Sequence, residues 1–254
     1  MVCEQPVRVL GQVRRFPDST VSGFVRHQAM YVLHYAPDNA SLIIRLALEE
    51  LGAPYRTALV DRRVGDQRSP AFLEKNPNGL IPALETPDGV LFETGAALLW
   101  LCDRHGGLAP VPHSSARGDF LKWLFFCSNT LHANLRGLFY PQYFVGPDHA
   151  AQKCLTAQLQ DNLIHDFGII DKCLPETPDV DALDLYVAAC LRWAQIYGPE
   201  DRNWADLAKW PRLLARILRL EARPSVAALV KAEGLGARPF TRPHRPTPPE
   251  GSAQ

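Results

Sequence analysis

Two short stretches, Ile81-Pro82 and Glu93-Thr94, hold the residue types needed to bind a small charged peptide. An Xaa-Pro bond is cis at a cost of only about 0.5–1 kcal/mol. A cis Ile81-Pro82 bond turns the N–H and C=O of Ile81 outward, where an extended peptide can pair with them. Thr94 reads as a helix N-cap. The open N–H groups that follow it, aided by the helix dipole, attract a carboxylate. Glu93 beside them suits an ammonium. Together these features describe a receptor for a small zwitterionic peptide.

Both stretches fall within residues 76–100, NPNGLIPALETPDGVLFETGAALLW. The apolar run 80–84, broken only by Pro82, predicts a strand. Thr86-Pro87-Asp88-Gly89 predicts a hairpin bend, because proline presets φ and Asp-Gly supplies the reversal. Val90, Leu91 and Phe92 form the partner strand, and a helix follows from Gly95 to about Arg104. Upstream, YVLHY at 31–35 is a β-rich run, and Ala36-Pro37-Asp38-Asn39 is the turn after it. Leu42, Ile43, Leu46, Ala47 and Leu51 recur near a 3.6 period, so residues 41–51 predict a helix that Gly52 stops. A strand over 55–60, a polar loop with Arg62, Arg63 and Asp66, and a short helical turn at 70–75 complete a β-α-β, loop, β-β-α order.

Gly106-Gly107 with Pro110 and Pro112 marks a linker over 106–115. Beyond it the pattern turns helical: 120–139, 150–174, 181–197 and 210–221. Asn129, His132 and Arg136 lie at i, i+3 and i+7 and so share one helix face. Asp181 and Asp184 have capping-box spacing and read as structural. Residues 234–254 carry five prolines and three arginines and predict a disordered tail. At the other end, residues 1–29 read as an extension, with Met30 standing directly before the first clear strand. That segment is either an upstream misreading or a short functional addition.

In 254 residues, Lys+Arg and Asp+Glu balance at 27 each, which argues against a nucleic-acid binder or a charge-driven membrane binder. No apolar run approaches the roughly 18 residues of a membrane span, and the N-terminus lacks a secretory h-region. The six cysteines are scattered without metal-ligand spacing, and no His-x-x-x-His pair occurs, so no metal is expected. Free thiols suit a cytoplasmic setting.

NPNGLIPAL followed by FETGAAL resembles the second half of the thioredoxin-like domain of glutathione S-transferases. The strand, cis-proline, strand, Glu/Asp-Ser/Thr pattern of that family is matched by Ile81-Pro82 and Glu93-Thr94. The resemblance covers roughly residues 30–230. It implies a thioredoxin-like glutathione-binding domain over 30–105, a linker over 106–115 and an all-helical domain over 116–233. The implied activity is attack of the glutathione thiolate on a small apolar electrophile, in a homodimer with a detoxifying role.

The resemblance extends to residues. YAPDNASLIIRLALEELG is similar to the bacterial beta-type turn Pro-Gly-Ala-Cys-Ser-Leu, with Pro37 and Ser41 in place and Ala40 where that group has cysteine. The substitution removes the residue that would carry a mixed disulfide with glutathione. Ser41 or Asn39 is left to donate to the sulfur. Asn78 stands where a lysine often precedes the glycine of that turn, and Arg62 or Arg63 is the replacement cation. Ile81, Pro82, Glu93, Thr94 and Asn78 are thus the expected glutathione contacts. Tyr35, Trp123, Phe126, His132 and Tyr140 are the expected co-substrate wall. A glutathione-dependent isomerase or dehalogenase, or a non-catalytic glutathione-binding protein favoured by Ala40 and Asn78, are the alternative readings.

Overall fold

The computed structural model describes residues 30–198 and 203–253; the extension expected at 1–29 lies outside them. Four strands, β1 (Tyr31–Tyr35), β2 (Tyr55–Leu59), β3 (Ala83–Thr86) and β4 (Gly89–Leu91), form one sheet in the order β2-β1-β3-β4. β1 runs parallel to β2, with Leu33 opposite Thr57, and antiparallel to β3, with Leu33 opposite Leu84. Both sides of β1 are covered, so all five of its residues are buried, His34 among them with its Nε2 on Glu85 Oε1 at 2.7 Å. The β1–β2 crossover is α1 (Ser41–Glu50), and α3 (Thr94–His105) packs beside it.

The strand expected at 80–84 begins only at Ala83. Pro82 has no N–H for a ladder, and Asn76 Nδ2 donates to Leu80 O at 2.6 Å, holding that residue in the preceding turn. The Ile81–Pro82 peptide is cis. The cap of α3 lies one residue before the expected Thr94. Glu93, at φ +68°, is the N-cap, and Thr94 is the first helical residue with no capping bond. The hairpin turn at 86–89 forms, closed by Thr86 Oγ1 donating to Gly89 O at 2.8 Å.

Helices make up the rest. Residues expected as one segment at 120–139 divide into α4 (Arg117–Phe126) and α5 (His132–Phe139), joined by a π-helical turn, Cys127–Leu131. Such turns displace side chains relative to a regular helix, and here the turn carries Ser128 and Asn129. Then come α6 (Gln142–Val145), α7 (His149–Cys173), α8 (Ala182–Tyr197), α9 (Pro211–Glu221) and α10 (Pro224–Glu233). α8 is the axis of the molecule: all its residues except Gln195 and Tyr197 are buried. Its start is the expected capping box, with Asp181 and Asp184 each accepting from the other's backbone N–H. α1 is buried from Ser41 to Leu48 because α3, α8 and α10 enclose it against the sheet; its one charge in that span, Arg45, is buried against Glu233 of α10. The architecture is a thioredoxin-like sheet followed by a mostly helical region.

The tail is ordered, contrary to its composition. Phe240 is fully buried, and Glu221 Oε1 accepts from the backbone N–H groups of Phe240 and Thr241, both at 2.9 Å. Composition fails here because Phe240 is buried, main-chain carbonyls of the tail find donors on α8, and its main-chain N–H groups find an acceptor on α9. Gly234 lets the chain turn back, at φ +66°. A Cβ there would stand 2.0 Å from Thr247 O, so only glycine permits the return.

Candidate functional site

The turn after β1 and the helices beyond α3 enclose a cleft of about 970 Å³. One wall comes from Asp38, Asn39 and Ala40, from Asn76 and Gly79 to Pro82, and from Glu93 to Ala96. The other comes from Ser128, Asn129, His132, Arg136 and Phe139 on α5 and the π-helical turn, with Tyr140, Tyr143, Trp193 and Tyr197.

Glu93 is exposed into this cleft at the positive end of α3. Its carboxylate makes no hydrogen bond or ion pair among the described residues. The first N–H groups of α3 likewise have no intrahelical partner. A positive φ at a non-glycine residue costs of order 1–3 kcal/mol and clusters at ligand sites. An acid beside open N–H groups fits an amino acid head, its ammonium on Glu93 and its carboxylate on the helix start.

The turn carrying Asn39 is fixed by an unusual set of buried bonds. Asp38 has φ +50°. Its carboxylate accepts from Arg192 Nε and Nη2, each at 2.8 Å, from Trp193 Nε1 at 3.0 Å and from Tyr197 Oη at 2.7 Å. Arg192 is fully buried and also donates to Pro239 O and His244 O in the tail. Asn39 Oδ1 accepts from Ala40 N–H at 2.8 Å, which leaves its amide NH₂ as the donor group. On the opposite wall, burial followed by the Arg136 charge lowers the pKa of His132 to about 4, so its ring is neutral at physiological pH. Its Nδ1 pairs with Tyr186 Oη at 3.1 Å and its ring lies against Trp193.

Asn39, Ile81, Pro82, Glu93, Thr94, His132 and Tyr140 therefore line one cleft. Five expected residues do not. Ser41 is fully buried, and its hydroxyl donates backward to Ala36 O at 3.1 Å. Its position as the first residue of α1 points it into the core. Tyr35 is buried too, with its hydroxyl donated to Glu250 and Arg45 over its ring. Trp123 and Phe126 pack edge to face in a separate groove with Ile169 and Cys173, because α4 turns that face away from the sheet. Asn78 is exposed outside the cleft lining, and Arg68 Nη1 reaches its carbonyl at 3.2 Å.

Of the two loop arginines, Arg62 faces the cleft, while Arg63 is held outside by Asp61. Gln67, Arg68, Tyr143, Trp193 and Ala253 are cleft residues with no local sequence signal. Asn129 and Arg136 were marked by helical spacing alone. No described cysteine lines the cleft, and burial pushes the Cys102 thiol up to about 12.

Residues 40–104 match the family model described as the N-terminal domain of glutathione S-transferase. The chain is also 30% identical over 217 residues to the disulfide-bond oxidoreductase YfcG of Escherichia coli K12, covering 80% of this chain and 96% of that protein. It belongs to the glutathione S-transferase family. Among solved members, the glutathione S-transferase of Xylella fastidiosa superposes with a TM-score of 0.70 at 25% identity, covering 81% of this chain and all of that one. The glutathione transferase of Burkholderia graminis, with two glutathione molecules bound per subunit, superposes at 0.68 with 23% identity, covering 84% and 92%. Within this family the open acid at Glu93 and the start of α3 lie in the matched N-terminal segment, whereas the wall from α5 lies beyond it. Among the described residues no helix is long and apolar enough to cross a membrane.

Proposed function

We propose that the cleft binds glutathione and uses its thiolate as the nucleophile of a transferase. The observation that carries this reading is the unpaired Glu93 carboxylate beside the open N–H groups of α3, in one cleft with Ile81 and Asn39. The γ-glutamyl head sits on Glu93 and Thr94, the cysteinyl main chain along Ile81, and the sulfur toward Asn39. A free thiol is mostly protonated at neutral pH. The Asn39 amide donates to the sulfur and stabilises the thiolate, which then attacks the electrophilic carbon and expels its leaving group. The same reading carries a glutathione-binding unit over 30–105, a helical unit over 116–233, a homodimer and a cytoplasmic setting.

A second reading has its own support. The wall opposite the sulfur carries Arg136, Asn129 and Ser128, and Arg62 of the loop after β2 also faces the cleft, which suits a polar or anionic co-substrate better than an apolar one. The relative YfcG is named as a disulfide-bond oxidoreductase. In that chemistry the bound thiolate attacks one sulfur of a substrate disulfide, forming a mixed disulfide and releasing the other sulfur as thiolate. A second glutathione thiolate then attacks the mixed disulfide. Oxidised glutathione leaves, and the substrate is left as two thiols. Calorimetry with glutathione, followed by product analysis with 1-chloro-2,4-dinitrobenzene and with hydroxyethyl disulfide, decides between the two. Absence of glutathione binding rejects both.

A further inference from the structure

The tail segment from Thr247 reaches the cleft just described at Ala253. Arg62 Nη1 donates to Ala253 O at 2.7 Å, while its Nη2 donates to Tyr140 Oη at 3.3 Å. One of the cationic groups lining the cleft is thus occupied by a main-chain carbonyl. Two parts of the tail differ in how they are held. The part up to His244 is locked, with Phe240 buried and Arg192 donating to Pro239 O and His244 O. Beyond Thr247, whose N–H is bonded to Gly234 O, the chain rests on the Tyr35 hydroxyl through Glu250 and on Pro37 and Leu59 through Gly251. Pro246, Pro248 and Pro249 contribute no N–H donors and stiffen this span.

We propose that residues 248–253 are a strap that competes with a ligand carboxylate for Arg62. The Ala253 carbonyl takes one guanidinium nitrogen, whereas a carboxylate brings an opposite charge and can accept from two of them at once. A carboxylate entering the cleft therefore takes Arg62, and the stiff span swings off Pro37 and Leu59 as a unit. The ligand-free protein carries its own low-affinity occupant, and the apparent dissociation constant is the intrinsic one divided by the fraction of molecules with the strap open. The inference rests on the glutathione reading of the cleft. The carboxylate belongs either to the glycyl end of glutathione or to an anionic co-substrate.

Gly251→Val in the full chain tests it. Gly251 has φ +69°, and a Cβ there would meet Leu59 Cδ1 at 2.6 Å, so valine lifts the strap without altering any residue placed in the binding site. Glutathione affinity is compared with that of its glycine ethyl ester. The Michaelis constant for dithiodipropionate, a disulfide with two carboxylates, is compared with that for neutral hydroxyethyl disulfide. If the glycyl carboxylate competes, the variant binds glutathione at least about 3-fold tighter and gains little for the ester. If the co-substrate competes, the Michaelis constant for dithiodipropionate falls by a similar factor and that for hydroxyethyl disulfide does not. In the wild type, hydrogen exchange over 250–253 rises when the competing carboxylate is present. Equal gains for charged and neutral ligands, or no gain for any, overturn the strap while glutathione binding stands. Failure of both proteins to bind glutathione overturns the functional reading, and the strap with it.

Discussion

At the residue scale, three neighbours in the chain divide the work at the first turn. Asn39 faces the cleft, Ala40 offers no polar atom, and Ser41 points into the core toward Ala36 O. Asn39→Ala should therefore raise the pKa of bound glutathione and slow turnover about 10–1000-fold, as when one oriented donor to an anion is removed. Ser41→Ala should leave that titration in place and cost about 1 kcal/mol of stability through its lost hydrogen bond. The thiolate absorbance of bound glutathione against pH, read for both variants, checks this; a shift caused by Ser41→Ala alone would reverse the assignment. Glu93→Gln should weaken glutathione by roughly 1–3 kcal/mol, the worth of a charge-assisted bond. Calorimetry showing unchanged affinity would reject Glu93 as the ammonium partner. Asn39, Ser41 and Glu93 were all legible as polar candidates, but the place of a residue relative to the start of its helix decides whether its side chain meets solvent or core.

At the element scale, α8 joins the two halves of the protein, and its own start depends on a buried ion pair. Asp184 Oδ1 accepts from Arg216 Nε at 2.6 Å, and Arg216 also donates to Pro175 O. Burial raises the carboxyl pKa of Asp184, and the Arg216 charge works against that shift. Removing one member of a buried pair leaves the other charge uncompensated, so Asp184→Ala should cost about 3–5 kcal/mol. Urea unfolding measures this, and a loss below about 1 kcal/mol would show that the capping box alone mattered. The box itself was readable from Asp181 and Asp184 at i and i+3. Arg216 was not, because it lies on α9 and meets the box only after the chain has folded back.

At the scale of the whole molecule, charges buried far apart in sequence tie the cleft to the C-terminal helices. Glu233 closes α10 with no exposed surface; it pairs with Arg45 Nε at 2.8 Å and accepts Asp38 N–H at 2.8 Å. Burial is the dominant influence and raises its pKa to about 7, against 4.5 for an ordinary glutamate, even with Arg45 opposing. A folded-state pKa above the unfolded value means that the native protein holds the extra proton. The stabilisation is complete below about pH 4.5 and is lost as pH rises through about 7. Wild-type stability minus that of Glu233→Gln should thus fall with pH across this window, at no more than about 1.4 kcal/mol per unit for one proton. Denaturant titrations at half-unit steps check it, and a flat or rising difference contradicts the assignment.

What the sequence determined by itself was local. The 3.6 period of α1, the Thr86–Gly89 bend, the capping box of α8 and the pairing of Ile81-Pro82 with Glu93-Thr94 each reside within a few residues, where dihedral preference and spacing act directly. Those signals carried the fold class and one wall of the cleft. Of the other wall, helical spacing marked Asn129, His132 and Arg136, but which aromatics join them required tertiary structure. Tyr35, Trp123 and Phe126 are as aromatic as Tyr140 and Trp193, and only packing decides which ring faces the cleft. The order of the tail was equally invisible, since its composition is that of an unfolded segment and its donors and acceptors are supplied by α8 and α9. Asp38 is the clearest case. In the sequence it is a turn residue; in the structure four donors from α8 surround its carboxylate, because burial forces a charge to find partners wherever the fold can bring them.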